Sequence, residues 1–210
     1  MRNSAGIKEF RKRFNVSRET MDRLRLYDDL LRKWNPAINL VSAATLPNLW
    51  NRHFTDSAQA YFIAARDSGH WTDLGSGGGF PGAVVAILAL EFSPRLHVTC
   101  IDSDVRKCEF IRTLSRNLEI PIAVHSRRIE DVPPQNAGCV SARALAPLPR
   151  LLGLVHRHIS ETGIAVLHKG ARASAEIEAA LELWHFGVER HPSISSPESF
   201  ILRIRGLDIG

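Results

Sequence analysis

Behind Asn15-Val16-Ser17, apolar residues recur at Met21, Leu24, Tyr27, Leu31 and Trp34 in steps of three and four. That spacing places one apolar stripe on a helix that Ser17 caps and that ends before Pro36. Arg18, Arg25 and Arg32 lie off the stripe, where they are free to meet phosphates or simply to keep the face solvated. A second helical stretch is predicted over residues 46–65, which contain WNRHFTDSAQAYF. From residue 71 the texture changes to short apolar runs alternating with amphipathic segments. WTDLG (71–75) reads as a strand entering a glycine-rich loop, and PGAVVAILAL as a helix opened by Pro81, a residue suited to a first helical turn. LHVTCID (96–102) is a β-branched strand ending in an acid, and residues 104–118 form a helix with Val105, Cys108, Ile111, Leu114 and Leu118 on one side. IPIAVHS (120–126), CVSARAL (139–145) and GIAVLHKG (163–170) are three more strands, with helices around 148–159 and 174–183.

Alternating strand and helix predicts an α/β fold with a mostly parallel, Rossmann-like sheet covered on both faces. FGVERHPSI and SFILRIRG are joined by only SSPE, too short for a helical crossover, so they form an antiparallel pair at one edge. The pattern divides the chain into a helical extension, residues 1–66, and a ligand-binding domain, residues 67–210. With 210 residues, 44% of them hydrophobic, the chain can bury one main core but is short for two full domains.

Charge sharpens this division. Residues 1–35 hold ten lysines and arginines against five acids, which accounts for the whole net charge of +5. A basic helical cap on a near-neutral body suits a polyanion such as RNA, although a solvated helix face would carry the same charges. The longest apolar run, residues 83–90, is too short to cross a bilayer, and the N-terminal residues lack the apolar core of a secretory signal, so a cytoplasmic location without membrane is expected. Cys100, Cys108 and Cys139 have no C-x-x-C spacing and read as small buried residues, not as a disulfide framework or a metal site.

The chemistry concentrates in DLGSGGGFPG, residues 73–82. Gly75, Gly77 and Gly79 lack Cβ atoms, so the backbone can turn sharply and a ligand can lie against it, beside the N-terminus of the next helix. Residues 77–82 fit the dinucleotide pattern G-x-G-x-x-G, which keeps a nicotinamide oxidoreductase as one reading. Phe80-Pro81, however, sets a bulky ring and removes an N–H where a pyrophosphate would sit. Asp73 places a carboxylate at the strand end, which repels phosphate and suits a cation. S-Adenosylmethionine carries a sulfonium and an ammonium and no phosphate, so the loop favours it. Asp102, at the end of the second strand, can accept both ribose hydroxyls or cap the following helix. Glu130, after the third strand, lies where an adenine would be, and taken alone is a surface acid.

Several separated stretches resemble one family. KWNPAINLVS (33–42), RHFTDS (52–57), TDLGSGGGFPG (72–82), IDSDVRKCEFIRTL (101–114), RRIED (127–131), SARAL (141–145) and HKG (168–170) are similar to segments of the glucose-inhibited division protein B family, in the same order. These are bacterial 16S rRNA guanine-N7 methyltransferases acting on the 530 loop. The resemblance implies a class I methyltransferase sheet of seven strands with an N-terminal helical cap. It also implies cofactor contacts from Gly75, Phe80, Ile129, Glu130 and Arg143, and 16S rRNA or the small ribosomal subunit as partner.

Guanine N7 carries an in-plane lone pair and no proton at neutral pH, so the chemistry needs positioning and no general base. Arg52, His53, Arg143 and Lys169 are the candidates for gripping phosphates or the guanine edge. Arg52 could instead pair with Asp56 at i,i+4, and Lys169 could simply close a strand. A non-catalytic RNA-binding assembly factor with a degenerate loop is the reading from another class. Oligomeric state is open, with a monomer favoured.

Overall fold

The computed structural model describes residues 4–210; Arg2, counted in the basic segment, lies outside them. Two helices open the chain, α1 (Ser4–Phe14) and α2 (Arg18–Ile38). Ser17 caps α2 as its position predicts, its Oγ accepting the Thr20 N–H at 3.1 Å. Helix α2 does not stop before Pro36 but carries it in the last turn, and ends when Asn39 turns left-handed (φ 49°, ψ 57°) and donates its N–H to the Asn35 carbonyl. A proline costs a helix most where it removes an interior bond, and little in a turn that is already ending.

The predicted helix over 46–65 is three pieces: a 3₁₀ turn (Ala43–Asn48), a π turn (Trp50–Thr55) and α3 (Asp56–Ala64). Pro47 lies inside the first. In the second, the Trp50 indole N–H is drawn to the buried Asp28 carboxylate at 2.9 Å. Widened turns of this kind commonly mark places where a side chain must be re-aimed. Here the segment carries Arg52 and His53.

The remaining elements are β1 (Ser68–Leu74), α4 (Gly82–Phe92), β2 (Arg95–Asp102), α5 (Val105–Leu118), β3 (Ile122–Ser126), β4 (Ala137–Arg143), α6 (Leu148–His158), β5 (Ile159–Lys169), α7 (Ala173–Leu181), β6 (Trp184–Pro192) and β7 (Phe200–Ile209). They form one seven-stranded sheet of order β3-β2-β1-β4-β5-β7-β6. Every pair is parallel except β5–β7 and β6–β7, which make the predicted antiparallel edge. Strand order reverses between β1 and β4, so the crevice beyond their carboxyl ends is the place where such a sheet binds ligands.

The stripe Met21, Leu24, Tyr27 and Leu31 is buried and packs with α4 and α5 into a single apolar core on one face of the sheet. Helices α6 and α7 cover the other face at β4, β5 and β7. The extension is thus fused to the sheet through a common core. Its basic residues are also partly committed: Arg32 holds Asp28 at 2.6 Å and the Leu46 carbonyl at 3.1 Å, while Arg25 and Arg18 share Asp22 at 2.9 and 3.7 Å. Arg32 is therefore held against the protein by two bonds, a tie that neither the phosphate reading nor the solvated-face reading included. All three cysteines are buried thiols. No described helix is long and apolar enough to cross a membrane.

Candidate active site

The glycine loop leaves β1 at the switch point and spends its donors on the protein. Gly75 and Ser76 donate their N–H groups to the Ile101 carbonyl at 2.8 and 3.1 Å, and Gly79 and Phe80 donate to the Ser76 carbonyl at 2.7 and 3.1 Å. Gly77 N–H goes to Asp102 Oδ2 at 2.8 Å, and Gly82 N–H to Asp73 Oδ2 at 3.1 Å. A pyrophosphate needs several free amides at such a turn. This loop has already used six.

Asp73 requires a correction. Its side chain has no exposed surface and does not face a ligand. One carboxylate oxygen accepts Gly82 N–H and the other the Ser141 hydroxyl at 2.7 Å, so it pins the start of α4 and strand β4 to β1. Burial pushes its pKa up to about 6 against those hydrogen bonds. Asp102 keeps the expected place at the end of β2, with Oδ1 accepting the Asp104 N–H at 2.9 Å. The helix-cap role belongs to Asp104 itself.

Two cavities meet at Gly75. The first, of about 590 Å³, is lined by Gly75, Asp102, Ile129, Glu130 and Leu145. The second, of about 410 Å³, is lined by Arg52, His53, Gly77, Phe80, Arg143 and Lys169 among others. Gly75 has φ +66°, and a Cβ there would lie 2.7 Å from Leu145 Cδ1, so a side chain at the junction would be strained in backbone and would push Leu145 aside. The candidate residues from six separated segments are thereby sorted into two neighbouring chambers.

The second chamber has a built wall. The Arg143 guanidinium lies 5.2 Å from the Phe80 ring centroid, donates to the Arg52 carbonyl at 3.2 Å, and donates to His53 Nδ1. His53 Nε2 therefore carries the proton and donates to Thr45 Oγ1 at 3.0 Å. Phe80 stacks on Tyr27, 5.1 Å between centroids and 13° between planes, and the Tyr27 hydroxyl donates to the Gly78 carbonyl. Arg52 is exposed. The pair that it could have made with Asp56 does not form, since that carboxylate is buried and accepts the Ser193 hydroxyl at 2.7 Å. Lys169 also lines this chamber, and its ammonium is engaged by the Ala146 carbonyl at 2.7 Å and Glu176 at 2.8 Å, so it braces the loop after β4, as the strand-closing alternative has it.

A family model described as GidB, rRNA small subunit methyltransferase G, matches residues 20–199. The chain belongs to this family. It is 46% identical over 194 residues to Ribosomal RNA small subunit methyltransferase G of Ruegeria sp. (strain TM1040), covering 92% of this chain and 94% of that one. It is 43% identical over 205 residues to the protein of the same name from Paramagnetospirillum magneticum, covering 98% of both. Among solved structures, ribosomal protein L11 methylase from Lactobacillus delbrueckii subsp. bulgaricus matches with a TM-score of 0.56 at 16% identity, over 70% of this chain and 75% of that one. M. jannaschii TYW2 in complex with AdoMet matches with a TM-score of 0.51 at 12% identity, over 72% and 73%. At such identities the structural likeness speaks for the fold. The family membership makes this GidB chain an rRNA methyltransferase.

Three features of this GidB site escaped the sequence reading: Tyr27 under the loop, Leu145 at the junction and Thr45 behind His53. Tyr27 alone left a signal, a hydroxyl set within an otherwise apolar stripe. His53 also carries a pH consequence. Its pKa is pushed from 6.5 down to about 3, first by burial and then by Arg143 and Arg52. A group whose folded pKa is depressed stabilises the fold above its unfolded value and withdraws that stability as pH falls. His53→Gln should therefore show a smaller loss of Tm between pH 7 and pH 4 than the native protein. Asp73 has a raised pKa and works in the opposite direction, but equally in both proteins. Parallel Tm curves would refute the buried, neutral state of His53.

Proposed function

We propose that the protein transfers a methyl group from S-adenosylmethionine to N7 of a guanine in the 530 loop of 16S rRNA. The observation that carries this reading is the meeting of two chambers at Gly75, the first ending in the Asp102 carboxylate and the second walled by Phe80 and Arg143. The first fits the nucleoside of the donor: Asp102 can accept ribose hydroxyls, and Ile129 and Glu130 border the space for a base. A phosphate-free cation suits a loop whose amides are internally bonded. The same bonding weighs against a nicotinamide dinucleotide. When bound, adenosylmethionine supplies a methyl group on a sulfonium centre.

The protein's own task is then placement. Arg52, exposed at the mouth of the second chamber, meets RNA phosphate, and Arg143 lies within reach of the guanine edge. His53 serves as no base, because its Nδ1 lone pair is taken by Arg143. Guanine N7 requires none. In this reading residues 1–66 act as a helical cap on the cofactor-binding part, 67–210, and the protein works as a cytoplasmic monomer.

Incubating the protein with methyl-tritiated adenosylmethionine and 16S rRNA or small subunits, then mapping the labelled nucleotide, tests the assignment. Label at a single 530-loop guanine is the expected result. RNA binding without label would favour an assembly role, and label on another base would refute the N7 assignment.

A further inference from the structure

Between β3 and β4 the chain has no α-helix, so residues 127–136 lack the hydrogen-bond ladder that steadies the other crossovers. Yet this segment places Ile129 and Glu130 on the first chamber. Its own closure is slight: one 3₁₀ turn, Ile129–Asp131, held by Asp131 N–H to the Arg128 carbonyl at 3.0 Å and Val132 N–H to the Ile129 carbonyl at 3.3 Å. Two further bonds come from the last turn of α6. Arg157 Nη2 donates to the Val132 carbonyl at 3.2 Å, and His158 Nε2 donates to the Ile129 carbonyl at 3.1 Å.

His158 is fully buried, among the apolar side chains that α6 packs against the sheet. With Nε2 donating, the neutral ring keeps a lone pair on Nδ1, and that atom has no partner. Burial disfavours protonation and holds the pKa below its ordinary value. An apolar side chain would fill the same space without leaving a polar atom unpaired. What the histidine adds over such a residue is one donor, delivered to the backbone of the residue that lines the chamber.

We propose that His158 is a positioning residue for the nucleoside end of the cofactor chamber, acting through the Ile129 carbonyl with Arg157 as its companion at Val132. His158 does not line the chamber and touches no ligand there. Its effect is to keep the Ile129–Glu130 backbone in one place before the cofactor arrives, so that binding does not have to order it. This inference rests on the proposed cofactor site.

Calorimetric titration with adenosylmethionine and steady-state methylation of rRNA test it on full-length His158→Leu, His158→Gln and Arg157→Met. Loss of one such bond corresponds to an affinity change of about tenfold. His158→Leu should raise the adenosylmethionine Kd and KM by about that factor, while the KM for rRNA and the kcat at saturating cofactor stay within about threefold. His158→Gln presents an amide N–H at a similar distance from the backbone and should recover most of the loss. Arg157→Met, at an exposed position, should weaken cofactor binding by about threefold. Unchanged cofactor affinity in His158→Leu, or a folded His158→Gln as weak as His158→Leu, would overturn the proposal. If His158→Leu does not fold, unchanged affinity in Arg157→Met would do the same. Absence of adenosylmethionine binding in the native protein would refute the proposed function itself.

Discussion

Gly77→Val is expected to abolish measurable adenosylmethionine binding in a protein that still folds. Gly77 has φ +54°, and a Cβ built there finds only the Gly75 carbonyl, at 3.9 Å. The protein itself therefore has room for the side chain, and the left-handed backbone costs roughly 1–2 kcal/mol. Gly77 lies two residues beyond the Gly75 junction, on the side of the second chamber into which the sulfonium end of a cofactor seated in the first would reach, and an isopropyl group would take that space. The expected result is at least about a hundredfold loss of affinity by calorimetry with Tm lowered by only about 2–8 °C. Gly82→Ala provides the contrast. A Cβ at Gly82 would lie 2.6 Å from Cys100 Sγ and 2.9 Å from the Asp73 carboxylate, so it should damage the fold as well as the site. Native affinity in a folded Gly77→Val would remove the loop from the cofactor site.

Arg143→Leu should reduce rRNA methylation by more than about a hundredfold, and Arg143→Lys should not restore it. Arg143 satisfies two acceptors at once, the Arg52 carbonyl and His53 Nδ1, while lying over Phe80. Leucine leaves His53 Nδ1 without its donor in a part-buried wall, at a cost of about 1–3 kcal/mol, while the exposed Arg52 carbonyl can turn to water. Lysine keeps the charge, but its point-like ammonium cannot reproduce a planar fork stacked on a ring. Methylation rates measured beside adenosylmethionine affinity separate the effects. Should Arg143→Lys methylate at the native rate, charge alone would suffice and the geometric role would fall.

Local pattern was enough for the elements of the sheet. The alternation in CVSARAL and GIAVLHKG, the apolar run after Pro81 and the short SSPE link each report a strand, a helix or a turn through neighbours a few residues away. The helical extension was legible at Tyr27 and Leu31, whose stripe repeats, and less so at residues 46–65. There the pull of Asp28 on Trp50 and the placement of Pro47 inside the first turn replaced one regular helix with three turns of different pitch.

The site was legible in part. Gly75, Gly77 and Phe80 lie where a loop at a strand end must place them, and Asp102 ends β2 as its position requires. Asp73 was misread, and Lys169 left open, for a common reason. An ionised side chain in a sequence reads as available, whereas its availability depends on what the fold brings to it. For Asp73 that is Ser141, 68 positions away; for Lys169 it is Glu176, together with the Ala146 carbonyl, 23 positions away.

Taken alone, the sequence determined the α/β alternation, the antiparallel edge, the bare loop after β1 and the concentration of basic charge at the N-terminus, because each depends on residues close together along the chain. Only the tertiary structure decided that β4 lies beside β1, that two chambers meet at Gly75, and that Arg143 spans His53 and the Arg52 carbonyl. Those facts rest on strand order and on hydrogen bonds between distant segments, which follow from the packing of the whole core and leave no periodic trace in any one stretch.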